Sequence, residues 1–222
     1  MKPLTAPLPG SEGMLPNTKA VRGYIQLVGS FSLSQKIEFQ YNPENLRRQL
    51  SPKIVGGDGE SRAAAMYYTA PPTETITVRI EIDATAPEED VSWKNADTLG
   101  VRPVLAALEL TMYPASMDIQ MSQAKLAAGS IEVGSYEVPL LIFGWGQDCQ
   151  APVRITSYSV TEDAFNTDLV PLRATVDLTM QVISAQDVRP LTSTYERYLQ
   201  YQQAKEKWAA NAYTSTLPSV FG

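Results

Sequence analysis

Alternating apolar and polar residues mark the longest predicted strands of this chain. Segments 75–83 and 173–182 alternate without a break, and a period of two places successive side chains on opposite faces of a β-strand. Each strand is therefore expected to bury one face and to present a hydrophilic face. Four further segments are also predicted to be strands, at residues 21–28, 36–41, 138–145 and 151–162.

Two of the predicted strands have special features. In segment 151–162 the apolar residues occupy odd positions up to Ile155 and even positions from Tyr158. One extra residue in a strand produces such a slip, which predicts a β-bulge near residues 156–157. Segment 138–145 is apolar on both faces, so we expect both of its faces to be covered.

Two segments have helical character. Residues 97–113 carry apolar residues at helical spacing, and Pro103 fits the first turn of a helix. The apolar set is Val101, Val104, Leu105, Leu108 and Met112. Residues 191–212 predict a second, mostly polar helix, for which Ser193 and Glu196 have the spacing of a capping box. A helix this polar rarely packs wholly on its own domain.

These elements predict a mainly β fold: an antiparallel β-barrel or sandwich with one amphipathic helix on an open side, and a C-terminal helical extension. The chain divides into a proline-rich N-terminal arm at 1–19, a β domain at 20–185, and a C-terminal helix and tail at 186–222. Residues 51–73 contain a glycine cluster and two adjacent prolines. They predict a long connection that projects from the body.

Composition excludes several classes of function. The 222 residues include no histidine, which rules out Ser-His-Asp and Cys-His catalysis and histidine-ligated zinc. The net charge of −6 argues against a nucleic-acid partner. The single cysteine, Cys149, is expected to pack as a small apolar residue. No apolar run is long enough for a signal peptide or a spanning helix, so we expect synthesis in the cytoplasm and no membrane insertion.

The acidic clusters and one tryptophan are the remaining candidates for chemistry. Glu88–Asp90 lacks the alternating ligands and the glycine of a calcium loop. Glu162, Asp163 and Asp168 could form a carboxylate pair, but acids are also expected in a turn between strands. Trp145, flanked by two glycines, is either a core residue at a strand end or an exposed ring that stacks on a sugar or a partner.

The order of several short motifs is recognisable. The motifs are Phe39–Pro43, Tyr68–Pro72 leading into 76–85, Pro139–Gly146 followed by 153–157, Glu162–Phe165, and Pro171–Ala174. In this order they resemble the tube-type domain of contractile injection system proteins. More narrowly, they are similar to the baseplate hub adaptor, or tube initiator, of phage-tail-like extracellular systems. The resemblance spans about residues 20–185.

The resemblance implies a tube-protein β-barrel that assembles into a homo-oligomeric ring, six copies being the expected number, between a central spike and an inner tube. The implied partners are the spike protein, inner tube proteins, and baseplate wedge or sheath components. The particle would assemble in the cytoplasm and be released or retained in the cell. Related adaptors often carry a LysM module after this domain, and residues 186–222 are too few for one. Neither an enzymatic activity nor a cofactor is expected.

Two sets of residues follow as candidate contact sites. The candidate interface set is Gly56, Gly57, Asp58, Tyr67, Tyr68, Tyr198, Tyr201 and Trp208. The candidate channel-facing set is Arg79, Glu81, Arg173, Thr175, Asp177 and Thr179.

Three alternative functions stay open. The first is the inner tube protein itself, which shares the fold. The second is a free-standing carbohydrate-binding β-sandwich that uses Trp145 or Trp93 as a stacking platform. The third is an enzyme with paired carboxylates.

Overall fold

The computed structural model describes residues 21–28, 35–55, 67–85, 96–129, 136, 138–146 and 148–212. The described strands form one antiparallel sheet in the order β2-β1-β5-β6-β7-β4-β3. The strands are β1 (Tyr24–Val28), β2 (Gln35–Glu38), β3 (Leu46–Val55), β4 (Tyr67–Asp83), β5 (Leu140–Trp145), β6 (Cys149–Phe165) and β7 (Pro171–Val182). The helices are α1 (Ala96–Leu99), α2 (Arg102–Glu109), α3 (Ser116–Ala127) and α4 (Ser193–Ala212).

The alternating segments form two adjacent strands of the sheet, β4 and β7, and both were predicted as strands. Val78 of β4 lies opposite Leu178 of β7, and both side chains are buried in the core. On the other face Arg79 lies opposite Asp177. Side chains directly opposite each other in a sheet share a face, so the alternation divides the sheet into a core face and a hydrophilic face.

The predicted β-bulge is confirmed. Ile155 of β6 lies opposite Met180 of β7, whereas Ser157 lies opposite Thr179, so the register shifts at Thr156. The extra residue moves the apolar set from odd to even positions. It thereby keeps the second half of β6 in phase with the core.

Strand β5 is buried on both faces, as its sequence predicts. Phe143 packs in the core, while the Tyr24 ring lies directly over Gly144 on the opposite face. A Cβ at Gly144 would come within 2.1 Å of the Tyr24 ring, so only glycine leaves room for that ring. Trp145 stacks on Phe143 with their ring centroids 6.2 Å apart. Trp145 is therefore partly buried against the core and is not an exposed platform.

The expectation of a closed β-barrel is wrong, because the sheet is open. In the described residues the two edge strands, β2 and β3, do not pair with each other. Gln40, which follows β2, instead bridges to the end of β4: its Nε2 donates to the Asp83 carbonyl at 2.8 Å, and its Oε1 accepts from the Asp83 N–H at 2.7 Å. Helix α2 lies over this seam, with Leu108 among the residues that line a small internal cavity there. Side chains close the seam where a hydrogen-bonded ladder was expected.

The predicted helix at 97–113 is shorter and broken. Gly100 interrupts it with a φ of 55°, and a Cβ at this residue would lie 2.0 Å from the Pro171 carbonyl oxygen. After the break, Leu105 and Leu108 are buried as predicted. Pro103 lies in the first turn of α2, and the helix ends at Glu109, before the expected stop at Pro114.

Two described elements were not predicted, β3 and α3. Residues 51–73 were expected to form a loose connection, but their described ends belong to paired strands, down to Val55 opposite Tyr67. We call residues 50–55 and 67–72 the hairpin extension. The N-terminal arm at 1–19 lies outside the described residues.

Candidate assembly surfaces

A broad hydrophilic face covers the four-stranded part of the sheet β3-β4-β7-β6. We call it the polar face and define it as the odd-numbered residues of 47–49, 75–83, 157–163 and 173–181. All six predicted channel-facing residues lie on it. Three of them are exposed and three are half-buried: Arg79, Glu81, Arg173, Thr175, Asp177 and Thr179. Whether this face lines a channel depends on assembly and stays a prediction.

Charges on the polar face are paired across strands. Arg79 Nε donates to Asp177 Oδ1 at 2.8 Å, and Arg173 Nε donates to Asp83 Oδ2 at 2.8 Å. The hydrogen bond to Asp177 raises the pKa of Arg79. Burial alone would raise the pKa of Asp83, but hydrogen bonds from Thr85 and the charge of Arg173 lower it. Such exposed pairs add little stability, yet they leave the face hydrated and locally neutral.

The four-stranded unit has two free edges among the described residues. Strand β6 pairs with β5 only through residues 149–153, so its remainder is bonded to β7 alone. On the far side, β3 pairs only with β4. An unpaired strand edge is a template for another chain.

The hairpin extension carries exposed apolar side chains. Tyr67 and Tyr68, both predicted interface residues, are 69% and 78% exposed. At the base of the extension is a cleft of about 680 Å³. It is lined mainly by apolar residues: Leu50, Pro52, Tyr68, Ala70, Pro71 and Pro72. The other predicted interface residues of this region, Gly56, Gly57 and Asp58, lie outside the described residues.

A buried carboxylate holds α4 against the sheet. The Glu74 carboxylate of β4 accepts hydrogen bonds from three residues: from Arg48 Nη2 at 2.6 Å, from the Tyr201 hydroxyl at 2.8 Å, and from Lys205 Nζ at 2.5 Å. Tyr201 is 2% exposed. The prediction that Tyr201 belongs to an intersubunit interface is therefore wrong, because its ring and hydroxyl are used inside the subunit.

The hydrogen bonds around Glu74 keep it ionised. Burial by itself would raise the pKa of Glu74, but the bonds from Lys205, Tyr201 and Arg48 outweigh it and lower that pKa. Burial and the adjacent carboxylate raise the pKa of Tyr201. Sequence reasoning missed Glu74, although a signal was present: its even number places it in the buried phase of β4, where an acid requires partners.

The outer part of α4 stays uncovered. Residues 206–212 are all exposed, including the predicted interface residue Trp208, whereas Tyr198 is half-buried. The predicted capping box at Ser193 is wrong by one residue. The Tyr195 N–H donates to Thr192 Oγ1 at 3.3 Å, so Thr192 caps the helix.

Helix α3 packs little against the other elements that the structure describes. None of its residues is buried. Several large apolar side chains on it and just before it are exposed: Leu110, Tyr113, Met117, Ile119, Met121 and Leu126. This helix forms a second apolar surface besides the hairpin extension.

The remaining candidates for chemistry do not form a site in the described part of the chain. Asp168 lies in a turn where Asn166 Oδ1 accepts its N–H at 2.9 Å, which agrees with a turn role for the acids near residue 165. Burial raises the pKa of the Cys149 thiol, which disfavours the reactive thiolate. No described group of metal-ligating side chains converges. Glu88–Asp90 and Trp93 lie outside the described residues.

In the described residues, no helix has both the length and the apolar character needed to cross a membrane.

Comparison with known proteins identifies the family. Among solved structures, the chain is similar to a component of the tail of an empty GTA particle, refined helically with C6 symmetry. The two are 15% identical with a TM-score of 0.32, and the match covers 73% of this chain and 91% of the other. No curated protein matches the chain. The model of the contractile injection system tube proteins matches residues 24–190, and the chain therefore belongs to that family.

Proposed function

We propose that this chain forms a ring whose polar faces enclose an axial channel in a phage-tail-like contractile particle. One observation carries the proposal: within the described residues, no member of the polar face is buried, and two strand edges that border this face pair with no other strand. A free-standing β-sandwich would be expected to protect such edges. A ring uses them.

The strand directions support ring closure. Neighbouring strands in the unit β3-β4-β7-β6 are all antiparallel, so β3 and β6 run in opposite directions. Rotation about a common axis therefore brings the β3 edge of one copy antiparallel to the β6 edge of the next. Such a head-to-tail contact closes when the rotation divides a full turn.

The chemistry of the polar face suits passage of cargo. Hydroxyl groups such as those of Thr175 and Thr179 keep the surface hydrated. The ion pairs Arg79–Asp177 and Arg173–Asp83 hold each cation beside a carboxylate, so a passing polypeptide meets few unmatched charges. The expected result is a channel wall that retains cargo of neither sign.

Within the particle, we propose that the chain is the baseplate hub adaptor, the ring between the central spike and the first ring of the inner tube. Helix α4 supports this position. It begins at Ser193, after the last residue matched by the family model, and the Glu74 cluster fixes it on the side of the sheet opposite to the polar face. A helix there is placed to contact a different baseplate protein. It would substitute for the LysM module of related adaptors.

The alternative position is the inner tube itself. Quantitative mass spectrometry of purified particles separates the two. An adaptor is present at one ring's worth of copies per particle, whereas a tube protein is present at many rings' worth. A particle with many rings of this chain would overturn the adaptor assignment and leave the ring assignment intact.

Electron microscopy of the purified full chain tests the ring itself. Rings with a central channel are expected as the concentration rises. A chain that stays monomeric at every concentration, alone and with its co-purifying partners, and that binds glycans would overturn the proposal in favour of the carbohydrate-binding alternative.

A further inference from the structure

The contact between α4 and the sheet depends on few apolar groups. Of the twenty residues in α4, Tyr201 alone is buried, and a helix with so narrow an apolar stripe gains little stability from burial. The helix packs mainly against β6. Residues 183–192, which join it to β7, form neither a strand nor a helix. Polar contacts around the Tyr201 ring therefore supply much of what holds α4 in place.

Those polar contacts meet at one carboxylate. Tyr201 and Lys205 are four residues apart on α4 and share one face, with Lys205 Nζ 4.2 Å from the centroid of the Tyr201 ring. Both donate to Glu74. Arg48 reaches the same carboxylate from β3. Two cations thus share one buried anion, and the cluster carries one positive charge in excess.

The other groups around Glu74 cannot replace its negative charge. Among the described residues, the further titratable groups that interact with it are Cys149, at the start of β6, and Tyr198, on α4. Burial raises the pKa of both side chains, so both are neutral at neutral and acid pH. Glu74 is also the one buried acidic residue in the described part of the chain. The cluster therefore depends on Glu74 for its negative charge.

Neutralising Glu74 would leave two cations side by side. A charge that loses its partner in a buried place is strongly destabilising. Arg48 lies on the edge strand β3 and can reach water through its own side chain. Lys205 is half-buried beneath its helix and regains full hydration when α4 moves. The strands are held by their own ladders, so the helix is the element that yields.

We propose that Glu74 is a charge switch for α4: loss of its negative charge releases the helix from the sheet as a unit, while the sheet stays folded. Protonation is the natural trigger. Because the hydrogen bonds of the docked state lower the pKa of Glu74, docking holds above about pH 4.5 and is lost as the pH falls through that lowered pKa.

Release changes the surface that α4 offers to a partner. In the docked state Tyr201 is buried and the exposed part of the helix includes Trp208. In the released state both aromatic side chains are accessible. The switch itself is a property of the single subunit and does not depend on the proposed ring, so failure of either proposal leaves the other standing.

Hydrogen exchange of the full chain, followed by mass spectrometry, tests the switch at pH 7. Glu74→Gln keeps the shape of the side chain and removes its charge. Peptides from residues 195–205 are expected to exchange at least about tenfold faster than in the unmodified chain, while peptides from β4 and β7 change less than about twofold. The control Asp177→Asn removes a carboxylate from the polar face and should leave α4 unchanged. Full protection of α4 in Glu74→Gln, or equal loss of protection in α4 and the strands, would overturn the proposal.

The unmodified chain provides a test that needs no substitution. After correction for the intrinsic effect of pH on exchange, protection of residues 195–205 is expected to fall between about pH 5 and 3, before that of β4 and β7. Simultaneous loss in the helix and both strands would contradict release as a unit.

A second substitution tests the role of the stranded cation. Adding Lys205→Met to Glu74→Gln removes the charge that lacks a partner. Exchange of α4 is expected to return to within about threefold of the unmodified chain. A helix that stays unprotected in this double variant would overturn the charge mechanism.

Discussion

Replacing Tyr201 by phenylalanine removes one hydroxyl from the Glu74 cluster and leaves the buried ring in place. That hydroxyl donates to Glu74 Oε1 at 2.8 Å. Hydrogen bonds to charged groups contribute about 1.5–3 kcal/mol. Because Glu74 keeps Arg48 and Lys205 as donors, we expect a loss near the lower end, about 1.5 kcal/mol. For a chain of this size the melting temperature would fall by about 3–6 °C.

Urea unfolding monitored by tryptophan fluorescence measures this loss. The matched control is Tyr198→Phe, which removes a hydroxyl from a half-buried position on the same helix and is expected to cost under about 0.5 kcal/mol. Equal effects of the two substitutions would refute the conclusion that the Tyr201 hydroxyl anchors α4. If Tyr201→Phe instead changes the slope of the unfolding free energy against urea concentration, the result would indicate that α4 unfolds separately from the sheet.

Three further predictions concern stability. Gly144→Ala should cost about 1–3 kcal/mol by displacing the Tyr24 ring, and its loss should be less than additive with that of Tyr24→Ala in thermal unfolding. Gln40→Ala should cost about 1–3 kcal/mol because it leaves backbone groups of β4 without partners, whereas Gln49→Ala on the polar face should change stability by under about 0.5 kcal/mol. Because the pKa of Glu74 is lowered in the folded chain, its contribution is present above the unfolded pKa and is lost as pH falls below about 4.5. A Glu74→Gln variant should therefore show a weaker decline of stability between about pH 5 and 3, and an unchanged decline would contradict that role.

The sequence predicts strands β4 and β7 well because burial in them follows the strand period. From Glu74 in β4 and from Ala174 in β7, every second residue is buried, so hydropathy alone marks these parts of both strands. The bulge in β6 is visible for the same reason, since an extra residue must shift the apolar phase.

Elements without a buried face cannot be predicted from hydropathy in the same way. Nearly all of β3 is exposed, and Pro52 interrupts its sequence. The start of β4 contains Pro71 and Pro72, which are tolerated only where backbone donors are not needed. Helix α3 also buries nothing. Hydropathy does not predict these segments because their contacts lie at the edge of the sheet or, in our proposal, with neighbouring copies.

The candidate contact residues also differ in whether strand periodicity predicts their position. The channel-facing set follows from strand phase, and all of its members lie on the polar face. Tyr201 was assigned to an interface because its helix is mostly polar. Its actual partner, Glu74, is distant in sequence, and three-dimensional packing alone brings the two together.

Cryo-electron microscopy of the assembled ring, at a resolution that shows side chains, tests the central claim most directly. The account predicts that Arg79, Asp177 and Thr179 face the axial channel, and that the β3 edge of each copy is hydrogen-bonded to the β6 edge of the next. A ring in which the polar face points outward, or is buried between subunits, would contradict it.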